Sequence, residues 1–246
     1  MVNCSRYSII CFTVAWLMVG CSSNDNFSGS YKNNVSHANE SLLLKVKNYS
    51  GLIKMKRDEL KKSNNSKVRY DLANYYYLSQ DYRSSMYYLK PLLSSGASPD
   101  IYLLQAKNLS ELGEFKKSLQ FVDIALNKDR SNSDGLNLKG VIQAQMGDLD
   151  NALVSFSQAR AGYRQEEDVV NNMAMIYIIQ KKYTEAVQLL LPIYLRGYNN
   201  SQLEHNLVFA LAKSGDLRYA KDIIKKRSYS KHPDLLATDL FNVQTF

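Results

Sequence analysis

Asn206-Leu207-Val208-Phe209-Ala210-Leu211-Ala212-Lys213-Ser214-Gly215-Asp216-Leu217 reads as the body of one helix, a glycine stop and the start of a second helix. Gly215 supplies the left-handed residue that ends a helix, and Leu217 plugs the next helix into the core. The same frame returns up the chain. Stretches beginning at Pro99, Ser133, Glu167 and Ser201 align without gaps at a spacing of 34, and one beginning at Ser66 precedes them at 33. The corresponding turns are Gln80-Asp81-Tyr82, Gly113-Glu114-Phe115, Gly147-Asp148-Leu149 and Lys181-Lys182-Tyr183. Units one and four lack the glycine, so slight backbone strain is expected at their turns.

Two antiparallel helices approach closely only where side chains are small. The eighth and twentieth places of the units meet that need: Ala73 with Ser85, Ala106 with Ser118, Gly140 with Ala152, Ala174 with Ala186, and Val208 with Ala220. Leu72, Met173 and Leu207 in first helices, and Phe156, Leu190 and Ile224 in second helices, complete the apolar stripes. A 34-residue helix–turn–helix repeat is the tetratricopeptide period, and the pattern predicts an all-α tetratricopeptide (TPR) solenoid of helical hairpins with five units over residues 66–228. Pro91 and Pro192 fall at the twenty-sixth place of their units, where proline should kink or break the second helix. Residues 229–246 are expected to cap the last exposed face, as solenoids need. A degenerate sixth unit could begin near Asn33, with Tyr49 at its turn, but its eighth place is Glu40.

Upstream of the repeats the chain changes character. Residues 1–20 carry one charge, Arg6, then an apolar run from Ile9 to Val19. That run is about half the ~20 residues a spanning helix needs, which reads as a secretory signal. It ends in Leu17-Met18-Val19-Gly20-Cys21, which resembles a bacterial lipobox with Cys21 as the acylated residue. Cleavage there would remove Cys4 and Cys11, leaving no free thiol and no disulfide. Two acyl chains would anchor firmly. Ser22 and Ser23 lack the aspartate of an inner-membrane retention signal, so the resemblance implies an outer-membrane lipoprotein facing the periplasm of a Gram-negative cell. Residues 21–41 read as a flexible tether rich in Ser, Asn and Gly. Residues 42–65 form a basic amphipathic helical segment marked by Leu42, Leu43, Leu44, Val46, Tyr49, Leu52, Ile53, Met55 and Leu60.

Of the formal charge of +8, residues 21–70 hold ten basic against four acidic side chains, and residues 71–246 hold twenty against nineteen. The excess is therefore next to the anchor, where it would either face anionic headgroups or coat an ordinary surface helix. With 45% hydrophobic residues the 246-residue chain can bury a core, and only four prolines argue against a turn-dense β fold. Nucleic acid is disfavoured as a partner: the repeats carry no basic stripe with interleaved aromatics.

No catalytic constellation is present, and no metal or cofactor is expected. His37, His205 and His232 are scattered, and no His or Cys pair has metal-ligand spacing. There is no P-loop, dinucleotide turn or GxSxG elbow. Glu166-Glu167-Asp168 opens a helix, where negative charge favours the dipole. Function then falls to the concave face, lined in such repeats by places 2, 5, 9, 12 and 13 of first helices. The candidate partner-binding residues are Lys67, Tyr70, Asn74, Tyr77, Lys107, Asn137, Asn171, Met175, His205 and Phe209. Leu78, Leu103 and Val141 occupy such places too but are assigned to packing between helices. The mixture suits an extended peptide or a partner helix rather than a nucleotide or other small-molecule substrate. The two-lysine clamp of chaperone-binding tetratricopeptide domains is not reproduced: Asn74 matches, but Tyr70 stands where the first lysine would be.

The lipobox at Cys21, the short tether and the five repeats together resemble the small tetratricopeptide lipoproteins of pilus and secretion systems. The resemblance is to the TadD family of the tight-adherence (Flp) pilus, carried by Gln188-Leu189-Leu190-Leu191-Pro192 and by Asn206 to Leu217. It implies an outer-membrane assembly factor with the secretin or other pilus components as partners. The alternative families are pilotins of type IV pili and lipoprotein adaptors that dock peptidoglycan hydrolases. Serine at Ser85 and Ser118, where alanine is usual, departs from the pattern.

Overall fold

The computed structural model describes residues 38–94, 96–162, 166–198 and 200–244, in two compact units divided between Asn48 and Tyr49. In the first unit residues 38–45 are helical (α1), so the last four residues read as tether are helix, closed by Asn48 N–H donating to the Leu43 carbonyl at 2.8 Å. The signal segment, Cys21 and the rest of the tether lie outside the described residues.

The second unit is a run of helices with no strand among the described residues: α2 (Tyr49–Ser63), α3 (Ser66–Leu78), α4 (Tyr82–Leu89), α5 (Pro99–Glu111), α6 (Phe115–Lys128), α7 (Ser133–Gln145), α8 (Leu149–Gly162), α9 (Glu167–Ile179), α10 (Tyr183–Leu195), α11 (Ser201–Ser214), α12 (Leu217–Arg227) and α13 (Pro233–Asn242). First helices start at Ser66, Pro99, Ser133, Glu167 and Ser201, the five starts marked by the sequence repeat. Asn65, Asn132 and Asn200 cap three of them, each side-chain oxygen accepting from a backbone N–H of the first turn. Each second helix opens with Tyr82, Phe115, Leu149, Tyr183 or Leu217, and Tyr49 opens α2 in the same way. α2 therefore packs on α3 as the second helix of a preceding unit would.

All five turns share one backbone bond, in which the residue after the left-handed position donates to the carbonyl five residues back, as from Asp148 to Gln143 at 2.9 Å. Gly215 takes this position with φ +94, but Gln80 and Lys181 are forced to +65 and +61. The two units without glycine thus carry the expected strain.

The small places are buried throughout. The tightest is Gly140, where an added Cβ would stand 2.6 Å from two ring atoms of Phe156. The serines at alanine places are neutralised rather than merely accommodated. Ser118 Oγ donates to the Ala106 carbonyl at 2.6 Å, and Ser85 Oγ accepts from Asn108 Nδ2 at 2.9 Å.

The two prolines part company. α4 stops at Leu89 and Lys90–Leu92 tightens into a 3₁₀ turn, so Pro91 breaks its helix. Pro192 breaks nothing, and α10 continues to Leu195. Leu190, Ile193 and Tyr194 hold both sides of it in the core, while Pro192 itself lies on the exposed flank, where water can take the carbonyl it leaves unpaired.

First helices touch one another in series (α3 with α5, α5 with α7, α7 with α9, α9 with α11), and second helices make no comparable series among the described residues. The stack therefore curves with first helices on the inside. α13 packs on α11 and α12, burying Ala237, and occupies the place of the next first helix.

Candidate partner-binding groove

The inner face begins at α3. Lys67 is exposed, and Tyr70, Asn74 and Tyr77 are each half-buried. Tyr70 and Tyr77 pack against the Ala73, Leu89 and Leu104 cluster, so both rings are partly core. Burial, followed by the charges of Asp100 and Asp71, pushes the Tyr70 phenol up to about 12. Tyr77 lies 5.8 Å from the Tyr82 ring, and Tyr82 donates to Glu111 at 3.3 Å. Burial first, then Glu111 and Tyr82, raises the Tyr77 phenol. Both tyrosines stay neutral hydrogen-bonding groups in the physiological range.

Along the middle of the groove Lys107 and Met175 are half-buried on α5 and α9. Asn137 and Asn171 are half-buried too, and one side of each amide is already used. Asn172 Nδ2 donates to Asn137 Oδ1 at 3.2 Å, and Asn206 Nδ2 donates to Asn171 Oδ1 at 2.9 Å. These bonds stitch α7 to α9 and α9 to α11. Ser110 Oγ to Gln145 Oε1, at 2.9 Å, does the same between α5 and α7. Of the places assigned to packing, Leu103 is 4% exposed as expected, but Leu78 is 37% exposed on the surface. It is the last residue of α3, next to the turn.

At the C-terminal end the groove deepens. His205, Asn206, Val208 and Phe209 of α11 face Leu236 and Leu240 of α13, with Ile224 and Tyr229 closing a cavity of about 460 Å³. His205 is exposed at its rim, with its ring 4.6 Å from Tyr229. Phe209 meets Tyr183 edge-on at 6.3 Å. Lys213, another inner-face place, donates its Nζ to the carbonyls of Phe241 and Val243, satisfying the end of α13 and fixing the cap over the cavity.

Beneath the cavity lies a group that the repeat pattern does not disclose. Glu204 is 1% exposed, and its carboxylate accepts from Arg227 of α12 and from the phenol of Tyr229. Burial first, then that hydrogen bond and the Glu204 charge, pushes the Tyr229 phenol up to about 12. The available signal was an acid at Glu204 amid the apolar Leu203, Leu207 and Val208, a place that demands a counter-ion.

The acidic run at 166–168 acts locally. Glu166 bridges Arg160 of α8 and Arg196 at the end of α10, at 2.6 and 3.1 Å, and the hydrogen bond from Arg160 holds its carboxyl below the usual range. Among the described residues no three His, Cys, Asp or Glu side chains gather as a metal site.

No protein-family model matches the chain. Solved structures do. TTC0263, a thermophilic TPR protein of Thermus thermophilus, aligns at 16% identity over 72% of this chain and 98% of its own, with a TM-score of 0.64. The fold is the tetratricopeptide solenoid. A chain of the APC/C hetero-tetramer Cut9-Hcn1 aligns at 14% identity over 84% of this chain, with a TM-score of 0.69, and this TPR chain spans 41% of that one. MamA of AMB-1 aligns at 14% identity over 67% of this TPR chain and 90% of its own, with a TM-score of 0.53.

Proposed function

We propose that the protein is a non-enzymatic scaffold that holds a protein partner along the inner face of its TPR stack, tethered to the outer membrane through acylated Cys21. The observation that supports this is the continuous row from Tyr70 and Tyr77 on α3 to His205 and Phe209 on α11, ending in a largely apolar cavity. Aromatic side chains stand at the two ends of the row, Tyr70 and Tyr77 on α3 and Phe209 on α11, and between them the amides of Asn137 and Asn171 are already held in place by the next repeat. That preorganised surface suits an extended peptide or amphipathic helix, whose apolar side chain would seat against Phe209, Leu236 and Leu240. The resemblance of Gln188–Pro192 and Asn206–Leu217 to the tight-adherence lipoproteins supports a place in assembly of a pilus or its secretin.

Affinity capture of the intact lipoprotein from detergent-solubilised envelopes, with partners identified by mass, tests the reading. Recovery of a secretin or pilus-assembly proteins that is lost with Phe209→Ala supports it. Recovery of peptidoglycan hydrolases instead transfers the function to an envelope-enzyme adaptor. Capture unaffected both by Phe209→Ala and by joint replacement of Tyr70, Asn74 and Tyr77 with alanine refutes the groove.

A further inference from the structure

Away from the groove, α2 and the start of α3 enclose a hollow of about 350 Å³ lined by Arg57, Leu60, Lys61, Asn64, Arg69 and Tyr88. Three of these six side chains are cations, and among the described residues no carboxylate lines the hollow. Lys61 pairs with Asp58 at 3.3 Å, but both side chains are more than half exposed, so the contact is weak and easily exchanged. Arg69 Nη2 donates to Asn64 Oδ1 at 2.6 Å, so its guanidinium is held by a neutral oxygen rather than an acid. Asn64 adopts φ +42, a left-handed backbone that turns the chain from α2 into α3 and puts its amide at the hollow. Tyr88 forms a stiff wall: it stacks on Tyr76 at 5.4 Å with 8° between planes, and meets Tyr87 edge-on at 5.2 Å.

Like charges gathered with a single exposed and easily exchanged counter-ion, Asp58 at Lys61, destabilise one another, and an anion in the hollow relieves all three at once. Two guanidiniums supply planar forks that match adjacent phosphate oxygens, and Lys61 adds a mobile point charge. We propose that this hollow binds a phosphate group, presented either by an anionic phospholipid headgroup or by a free phosphate-bearing solute. The site shares no residue with the partner groove and stands whether or not the groove reading holds.

The test uses the full chain carrying Cys21→Ser, so that no acyl anchor contributes. Inorganic pyrophosphate is titrated by calorimetry, and vesicles of phosphatidylcholine with or without phosphatidylglycerol are followed by flotation. Each is repeated with Arg57→Gln/Arg69→Gln, with Arg57→Lys/Arg69→Lys, and with Lys116→Gln/Lys117→Gln as a charge-matched change elsewhere. Circular dichroism verifies that helicity is unchanged.

Saturable binding weakened about tenfold or more by the double glutamine variant, partly kept by the lysine variant and untouched by the Lys116/Lys117 change, is expected. Flotation that needs phosphatidylglycerol and shows the same variant pattern identifies a headgroup, and pyrophosphate binding without flotation identifies a free solute. Binding to neither probe, or equal weakening by the Lys116/Lys117 change, overturns the proposal.

Discussion

Replacing Arg227 by leucine strips the counter-charge from Glu204, which lies in α11 with 1% of its surface exposed. The wild-type carboxylate has two partners, the Arg227 guanidinium and the Tyr229 phenol. After the change only the phenol remains, and a neutral hydrogen bond does not offset the desolvation of a buried charge. Breaking a buried pair from one side costs about 3–5 kcal/mol. The Arg227 side chain is 31% exposed, so water replaces part of what it supplied and the lower end, ~3 kcal/mol, is the expectation. For a domain of this size each kcal/mol moves Tm by roughly 2–4 °C, which gives a drop of about 6–12 °C. Thermal unfolding followed by far-ultraviolet circular dichroism at neutral pH reads it directly. The companion variant Glu204→Leu/Arg227→Leu should recover most of the loss, because apolar replacement of a whole buried pair is often neutral or stabilising. A single variant melting within about 2 °C of wild type, or a double variant as unstable as the single, would refute the reasoning.

Gly140→Ala should destabilise the stack although alanine is the better helix former. The ~1 kcal/mol gained in propensity is outweighed by the roughly 1–3 kcal/mol of pushing Phe156, itself 1% exposed, away from a contact of 2.6 Å. Urea unfolding decides the sign, and Gly140→Ala/Phe156→Leu should restore stability. Tyr70 and Tyr229, held neutral to about 12 against an ordinary 10, add stability that is whole below pH ~10 and is lost as pH rises through ~12. Phenolate absorbance should therefore show late-titrating groups that vanish in Tyr70→Phe and Tyr229→Phe; ionisation of both together with the exposed tyrosines would contradict this. If Cys21 carries the proposed anchor, Cys21→Ser should release or mislocalise the protein, and unchanged acylation and sedimentation with the outer membrane would end the lipobox assignment.

The hairpin starts and turns were legible because each depends on residues adjacent in sequence. Gly113, Gly147 and Gly215 announce left-handed stops through their own backbone freedom, and Gln80 and Lys181 betray strain at the same place by lacking it. The small eighth and twentieth places were equally plain. That Pro192 leaves α10 unbroken was not legible, because the outcome depends on which flank of α10 faces water, and a single helix pattern does not say so firmly enough. In the groove, residue identity does not disclose availability. Asn137 and Asn171 stand on the inner face, yet an oxygen of each is taken by an asparagine of the next repeat. Lys56 illustrates the same limit in α2: within a segment read as basic and amphipathic, its lysines facing either headgroups or solvent, it is 5% exposed and paired with Glu59 and Asp71.

The sequence by itself determined the period, the all-helical hairpins and the places that line the inner curve, since helical spacing and glycine stops act over one or two turns of chain. Tertiary structure alone decided which side chains on those places remain free, that Glu204 is answered by Arg227 and Tyr229, and that Arg57, Lys61 and Arg69 converge on one hollow. Those pairings depend on how α11 meets α12 and how α2 folds back on α3. A side chain's partner lies on another helix, and only the packed stack brings the two within hydrogen-bond reach.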